Sequence, residues 1–580
     1  MKITGSQVVI ECLVEQGVDT IFGYPGGAIL NIYDALYKNE GRIRHILTAH
    51  EQGASHAADG YARATGKVGV VFATSGPGAT NLVTGIATAY MDSSPVVAIT
   101  CNVATPLLGK DTFQEIDIAG VTMPITKHNY IVRSVEDLAP VIRSAFLVAK
   151  SGRPGPVLID IPKEITAAEV EFEPLKDYED GSEFVASKCP NFKRVITVPH
   201  PQAEKIATAA RMINESCRPV IYAGGGIKIS GAENELLEFA QKARIPVCQS
   251  LMGRDNFPTS NPLCTGMVGM HGSKASNTAI TESDLVIALG ARFSDRVIGD
   301  PQRFAEGAAI LHIDIDPAEI NKNIQTSYSL IGDIKHVLTD LIPLVNENAS
   351  SEREQWVNRI QELKKEVPSV YSVEKKGCIN PKSLCEIIHK IAGDDAFITT
   401  EVGQHQMWTA QFYPFAKPRT FVTSGGLGTM GFGTGAAMGI QFALPEARVV
   451  HIAGDGSFRM NCNELATIRR YNLPIVIVIV NNGALGNVRM WQRLFYGKRF
   501  SQTTLDFGPD WLKLADAYGI KGYKVDNAAD FEKIFAQAFS SMQPAVIDAK
   551  IDIDEMVLPM VPGGKPIYDQ IMSLSEEMMN

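Results

Sequence analysis

Short apolar runs rich in β-branched residues recur along this chain, and most stop at a glycine or an acidic turn. VGVVFA at 68–73 runs into TSGPGATN, which turns into a helix expected over 82–90. PVVAIT at 95–100 and PVLIDI at 156–161 repeat the pattern, as do RPVIYAGGG, SDLVIALGARFSD and AAILHIDIDP farther along. ARVVHIAGDGSF and LPIVIVIVNNG close the series. Longer amphipathic stretches separate the runs. Strands alternating in this way with helices predict an α/β chain of parallel sheets covered by helices. In open parallel sheets ligands bind beyond the carboxyl ends of the strands, so the turns after the runs are where chemistry is expected.

The chain has 580 residues. One hydrophobic core does not grow that large, so two to four domains are expected. The pattern divides into three αβ blocks at 1–170, 190–345 and 375–550, with a tail at 551–580. An acidic stretch at 166–184 and a charged, helix-prone stretch at 346–378 read as linkers. No short repeat period appears, which excludes a solenoid.

Composition removes several classes of function. Hydrophobic residues at 45% and charged residues at 20% are ordinary for a soluble globular chain and exclude disorder as its main state. A net charge of −10 leaves no basic excess to neutralise phosphates, so nucleic acid is not expected as a partner. The nine cysteines include no CxxC pair, which fits neither a disulfide framework nor a zinc site and suits a reducing compartment. The apolar run at 473–480 contains Pro474 and is too short to span a bilayer. Glu11 interrupts the N-terminal apolar stretch, so no signal-peptide core is expected. A cytoplasmic protein without a membrane partner is expected.

The sharpest site signal lies in the third block. The run at 448–453 enters Gly454, Asp455, Gly456 and Ser457, and a second run ends at Asn481 and Asn482, 27 residues after Asp455. Glycines let a backbone approach a ligand closely. Asp455 offers a carboxylate oxygen and Asn482 an amide oxygen, and magnesium prefers such ligands while sharing them with phosphates. Two adjacent strand ends would then hold one magnesium ion and a diphosphate. Asp-Gly and Asn-Gly are also ordinary turn formers.

This spacing resembles the thiamin-diphosphate signature. Such a site needs a distant Glu against the cofactor's aminopyrimidine, and Glu51 in HEQGASHAADGYAR follows an expected strand at 43–48. A buried carboxyl can share a proton with a ring nitrogen. From GYPGGAIL to VLPMVPGGKPIYDQI, the whole chain resembles the catalytic subunits of the acetohydroxyacid (acetolactate) synthase family. The resemblance implies three parallel-sheet domains: pyrimidine-binding at 1–170, central FAD-binding at 190–345, and diphosphate- and magnesium-binding at 375–550. It implies decarboxylation of pyruvate on thiamin diphosphate. The hydroxyethyl group then joins a second pyruvate, giving 2-acetolactate, or 2-oxobutyrate, giving 2-aceto-2-hydroxybutyrate, on the route to valine, leucine and isoleucine. It also implies active sites between two copies, in a homodimer or dimer of dimers, and a separate small regulatory subunit.

Carried over residue by residue, the resemblance makes Glu51 the aminopyrimidine contact and places Gln404 and His405 near the diphosphate. Gly428 would accept from the aminopyrimidine amine, and Met430 would hold the cofactor bent. Asp455, Asn482 and the carbonyl of Ala484 would ligate magnesium. Gly27, Phe113, Gln114 and Lys163 would face the active site from the first domain. Arg296 and Trp491 would receive the second 2-oxoacid, because Arg pairs bidentately with a carboxylate. A Trp face senses one methylene, worth about 1–3 kcal/mol.

GARFSDRVIGD resembles a string of the FAD-containing biosynthetic members. The flavin contacts it implies are Arg153, Gly224, Gly225, Gly226, Leu251, Met252, His271, Gly272, Gly290, Ala291, Arg292, Asp314, Ile315 and Asp333. Free N–H groups in a glycine run after a strand suit a pyrophosphate, although the acids near Pro317 would equally cap a helix. A pyruvate-oxidase-like flavoenzyme and an FAD-free catabolic acetolactate synthase stay open as alternatives. Retention of Glu51, Asp455 and Asn482 argues against a silent homologue. The chain departs from the family at Ser294, at Asn487 where Met is usual, at the CNVA string of 101–104 and at the GTGAA string of 433–437.

Overall fold

The structure, a computed structural model, describes residues 1–175, 198–347, 350–372 and 375–573. The start of the second block at 190, Cys189, and the parts of the two linkers and of the tail outside those ranges lie beyond the described residues.

Every apolar run named above forms a strand. The first block holds β1 (Lys2–Thr4), β2 (Thr20–Gly23), β3 (Arg44–Leu47), β4 (Gly69–Ala73), β5 (Val96–Asn102), β6 (His128–Ile131), β7 (Val157–Pro162) and β8 (Glu169–Glu171). The second holds β9 (Pro219–Ala223), β10 (Val247–Gln249), β11 (Cys264–Met267), β12 (Leu285–Leu289), β13 (Ala309–Asp314) and β14 (Tyr328–Ile331). The third holds β15 (Phe397–Thr400), β16 (Phe421–Val422), β17 (Val449–Gly454), β18 (Val476–Asn481), β19 (Lys521–Val525) and β20 (Ala545–Lys550). Each block builds one six-stranded sheet, and all three sheets are parallel throughout. Every residue of β4, β9 and β12 is buried, as expected for strands covered by helices on both faces.

The strand orders locate the ligand sites. The first sheet runs β3-β2-β4-β5-β7-β6, and the third, β16-β15-β17-β18-β20-β19, repeats it strand for strand. The middle sheet runs β11-β10-β9-β12-β13-β14, the doubly wound order whose crevice opens where the winding reverses, between β9 and β12.

The first and third blocks share one core. Helix Glu51–Thr65 of the first crosses helix Phe432–Ala443 of the third at small residues. A Cβ at Gly439 would stand 1.9 Å from the Ala57 carbonyl oxygen, and one at Gly60 would stand 2.4 Å from that of Ala436. The departing GTGAA string sits in this crossing, where a Cβ at Gly435 would lie 2.6 Å from His56 Cβ. Arg63 locks the pair: it donates to the Thr423 carbonyl at 2.7 Å and pairs with Asp59 and Asp92 at 2.7 and 3.0 Å.

Two expectations need correction. The acidic stretch is not linker from its start, because β8 pairs antiparallel with β1 and continues the first block. The charged stretch contains helix Ser351–Leu363, which packs on the middle block: Trp356 is buried and donates to the Pro219 carbonyl at 3.0 Å. Hydrophobic positions hidden among many charges explain why it reads as a linker. Among the described residues no helix is long and apolar enough to cross a membrane.

Gly439→Ala is expected to destabilise the protein by about 1–3 kcal/mol through overpacking of the crossing. Gly307→Ala, whose Cβ would meet nothing within 4 Å, is the control. A urea midpoint unchanged in both contradicts the crossing.

Candidate active site

The ends of β17 and β18 lie side by side, with Gly454 opposite Val480. Asp455 opens the helical turn Asp455–Phe458 with its side chain buried. Burial pushes its carboxyl up to about 6, against the opposing pull of nearby amides and Arg459. Among the described residues Asp455 forms no ion pair. Asn482 donates to Gln404 Oε1 at 3.0 Å, and Gln404 in turn donates to the Glu555 carbonyl at 2.8 Å. The Asn482 Oδ1 receives the Ala484 amide at 3.1 Å, and Gly483 makes the turn between them with φ +65°. The His405 ring lies where a Cβ at Gly454 would reach, 2.7 Å away, so a side chain there would push the ring aside. Burial lowers the His405 pKa to about 4 and keeps the ring neutral. Likewise, a Cβ at Gly456 would strike Leu485 at 2.7 Å. Gln404, His405, Gly454, Asp455, Gly456, Ser457, Asn482 and Ala484 thus form one neighbourhood. A buried carboxylate without a cation, beside amide and carbonyl oxygens, suits a hard divalent ion.

The loop before helix Phe432–Ala443 carries Gly428 and Met430. Gly428 and Gly431 hold φ of +72° and +89°, and Asn461 donates to the Gly431 carbonyl at 2.8 Å. Gly428 borders a cavity of about 940 Å³ enclosed by all three blocks.

That cavity gathers most of the residues assigned to flavin. Gly224, Gly225, Gly226, Leu251, Met252, His271, Gly290, Ala291, Arg292, Asp314, Ile315 and Asp333 line it from the middle block, and Arg153 from the first. At the reversal between β9 and β12 two glycine turns press together: a Cβ at Gly224 would stand 2.0 Å from the Gly290 carbonyl oxygen. Burial lowers the His271 pKa to about 4, and its Nδ1 lies 3.2 Å from the Pro559 carbonyl oxygen. Gly272 lies behind His271, where its carbonyl accepts from Gln570 at 2.9 Å. Asp333 caps helix Ile334–Leu341, and Asp316 caps the turn at Pro317. Arg153 is tied to Glu319 at 2.6 Å.

Arg296 and Trp491 meet at the cavity wall, the guanidinium 5.5 Å from the ring centre. Helix Gly486–Phe495 presents Asn487 one turn before Trp491, and both border the cavity. The Asn487 Oδ1 is buried without a partner. Ser294, the other departure near this wall, caps helix Asp295–Ile298 by accepting from the Arg296 amide at 3.4 Å. Gln406, Val402 and Leu427 also border the cavity and were not foreseen. Their position just past the ends of β15 and β16 was the available signal.

Glu51, Gln114 and Gly27 lie elsewhere, around the turn at 74–78 after β4. Glu51 begins its helix behind His50, whose Nδ1 accepts from the Gln52 amide at 3.1 Å. It is buried rather than solvated. Asn81 donates to Glu51 Oε2 at 2.9 Å, while a Cβ at Gly78 would approach Oε1 to 3.2 Å. The same turn touches Gln114, 2.9 Å from where a Cβ at Gly76 would stand, and Gly26, beside Gly27. Phe113 is 87% exposed, and Lys163 and Gly27 are exposed too. Among the described residues no hydrogen bond or ion pair joins Glu51, Gln114 or Lys163 to Gly428, Met430 or Asp455. His56 keeps its Nδ1 unpartnered and packs edge-on to Phe432.

Along nearly its whole length the chain is similar to known proteins. Residues 3–121 match the N-terminal TPP binding domain of thiamine pyrophosphate enzymes, 206–341 their central domain and 401–549 their C-terminal TPP binding domain. The chain is 50% identical to a probable acetolactate synthase large subunit of Methanocaldococcus jannaschii, over 99% of this chain and 96% of that protein. It is 45% identical to the acetolactate synthase large subunit of Porphyra purpurea, over 97% and 94%. It is also 45% identical to the acetolactate synthase of Mycobacterium bovis, over 98% and 93%.

Proposed function

The chain belongs to the acetolactate synthase large subunits of the thiamine pyrophosphate enzymes, and from that premise we propose how its own residues serve the reaction. It is a thiamin-diphosphate-dependent transferase that decarboxylates pyruvate and joins the two-carbon remainder to a second 2-oxoacid, pyruvate or 2-oxobutyrate, in branched-chain amino-acid biosynthesis. The observation that carries this is the pairing of Asp455 and Asn482 at adjacent strand ends, beside Gly454, where a Cβ would strike the His405 ring.

Thiamin diphosphate, when bound, supplies the carbanion chemistry that side chains lack. Asp455, Asn482 and the Ala484 carbonyl would hold magnesium and with it the diphosphate, with Gln404 and His405 alongside. Gly428 and Met430 would meet the aminopyrimidine side. Glu51 holds and releases a proton at Oε1: Asn81 occupies Oε2, and Gly78 leaves Oε1 uncovered. Because no hydrogen bond or ion pair among the described residues joins Glu51 to the Asp455 turn within one chain, the first block of a second copy would supply Glu51, Gln114, Phe113, Lys163 and Gly27. A homodimer, or a dimer of dimers, follows. Arg296 would pair with the carboxylate of the second oxoacid while Trp491 and Asn487 shape its alkyl pocket. The relatives' designation as large subunits supports a smaller regulatory partner.

We infer that the large cavity takes FAD. Its size suits a dinucleotide. The glycine turns of β9 and β12 offer close backbone approach, and Asp314 stands at a strand end beside them. The condensation is redox-neutral, so the flavin would be a structural element. A cytoplasmic setting accords with cysteines that are free throughout the described residues.

Pyruvate with magnesium and thiamin diphosphate is expected to yield acetolactate; acetate with flavin reduction would indicate the oxidase reading instead. Glu51→Gln is expected to lower turnover by about a hundredfold or more while the protein stays folded. Near-parental turnover contradicts the role of Glu51. Gly226→Val places a side chain against Gly290, 2.7 Å from its Cα, and is expected to yield protein without flavin absorbance. Parental flavin content in that variant contradicts the assignment.

A further inference from the structure

Glu401 is fully buried at the carboxyl end of β15. Its carboxylate gathers donors from separate parts of the third block. Oε1 accepts from the Thr434 amide at 3.1 Å and from its hydroxyl at 3.3 Å. Oε2 accepts from the Gly431 amide and from the Ser457 hydroxyl at 3.2 Å. His451 Nε2 stands 3.5 Å from Oε1, and the opposite nitrogen of that ring lies 2.9 Å from the Thr399 hydroxyl. Burial alone would raise the pKa of this carboxyl. The hydrogen bond and charge of His451, with the Thr434 and Gly431 amides, bring it below the ordinary carboxylate value. Glu401 is thus held as an anion with every lone-pair direction in use.

Part of this has an ordinary explanation. Gly431 and Thr434 belong to the start of helix Phe432–Ala443, and a carboxylate there satisfies free amides and the helix dipole. Capping does not account for Ser457, which lies on a different element. Nor does it account for what the three tied segments carry. Gly431 follows Met430 directly and stands three residues beyond Gly428. Ser457 is two residues beyond Asp455. Glu401 itself is three residues before Gln404 on its own segment. A second bond, Asn461 to the Gly431 carbonyl, fastens the same loop to the stretch after Ser457.

We propose that Glu401 is a positioning residue for the cofactor, its carboxylate setting the loop of Gly428 and Met430 at a fixed distance from the turn of Asp455 and Ser457. This rests on the reading of those residues as the two ends of the thiamin-diphosphate cradle. The cofactor would span both ends of the cradle, so a cradle whose ends drift apart would lose affinity before it loses fold. Glu401→Gln replaces one acceptor oxygen by an NH₂ that must face a backbone N–H whichever way it turns, that of Gly431 at the Oε2 position or that of Thr434 at the Oε1 position, and so loosens the tie. Thr434→Val removes one hydroxyl donor while keeping shape and backbone.

The test is titration calorimetry of thiamin diphosphate with magnesium into cofactor-free protein, paired with the thermal midpoint of that cofactor-free protein. Parent, Asp455→Asn, Glu401→Gln and Thr434→Val are compared. Glu401→Gln is expected to raise Kd about tenfold or more and Thr434→Val about threefold. The cofactor-free midpoints are expected to stay within about 2 °C of the parent. Parental Kd in both variants overturns the proposal, as does a weakening matched by a lowered midpoint. If Glu401→Gln does not fold, Thr434→Val decides by the same criteria. Asp455→Asn separates the two levels: if it too binds like the parent, the cradle itself is misplaced, whereas its loss of binding beside an unaffected Glu401→Gln removes only Glu401.

Discussion

The close crossing of helices Glu51–Thr65 and Phe432–Ala443 is the contact on which the rest of this molecule depends. Two backbones approach so closely only because Gly60, Gly435 and Gly439 carry no side chains. Side chains deepen the union: Arg63 lies over the Phe432 ring at 4.9 Å while paired with Asp59 and Asp92. The crossing sets two sheets of identical strand order against each other in one chain. It also fixes where the chemistry falls. Glu464 of the third block accepts from the Ala49 and His50 amides just before Glu51, so the start of the Glu51 helix is held by the block that carries Asp455. Yet Glu51 faces its own cluster around the 74–78 turn, apart from the Asp455 turn. We propose that another copy completes each half-site.

The middle block follows a different logic. Its sheet reverses winding between β9 and β12, and the two glycine turns at that point contact each other so tightly that neither tolerates a Cβ. A crevice with bare backbone on both sides results, closed by Arg153 from the first block and by Trp491 and Asn487 from the third. Helix Gly486–Phe495 is clamped from its other face, where Arg489 and Arg493 reach Asp554 at 3.1 and 3.2 Å. The tail that carries Asp554 therefore helps to fix the wall against which Arg296 rests.

Much of the fold was legible because strands buried on both faces must be apolar without interruption, as in LVIAL of β12 or VIVIVN of β18. Strands that escape this rule escaped notice: β16 has two residues, and β8 is acidic because it lies at an exposed edge. The packing of helix Ser351–Leu363 on the middle block was obscured for a similar reason, its few buried positions diluted by charge. In the site, Asp455 and Asn482 stood out because glycine and amide turns close adjacent strands. Glu401 also ends a strand, but a lone acid after two threonines has no spacing partner, and its donors come from residues 30 to 56 positions away. Asn487 stands where the family usually has Met, and the fold shows its Oδ1 buried without a partner, beside Trp491.

The central claim, that one chain's Glu51 serves another chain's Asp455, is tested most directly by co-expressing Glu51→Gln and Asp455→Asn chains under different affinity tags and isolating the mixed dimers. Each mixed dimer would contain one site with both lesions and one with neither, so about half of the parental acetolactate-forming activity per dimer is expected. Mixed dimers as inactive as either variant alone would place both residues in the same chain's site and contradict the account.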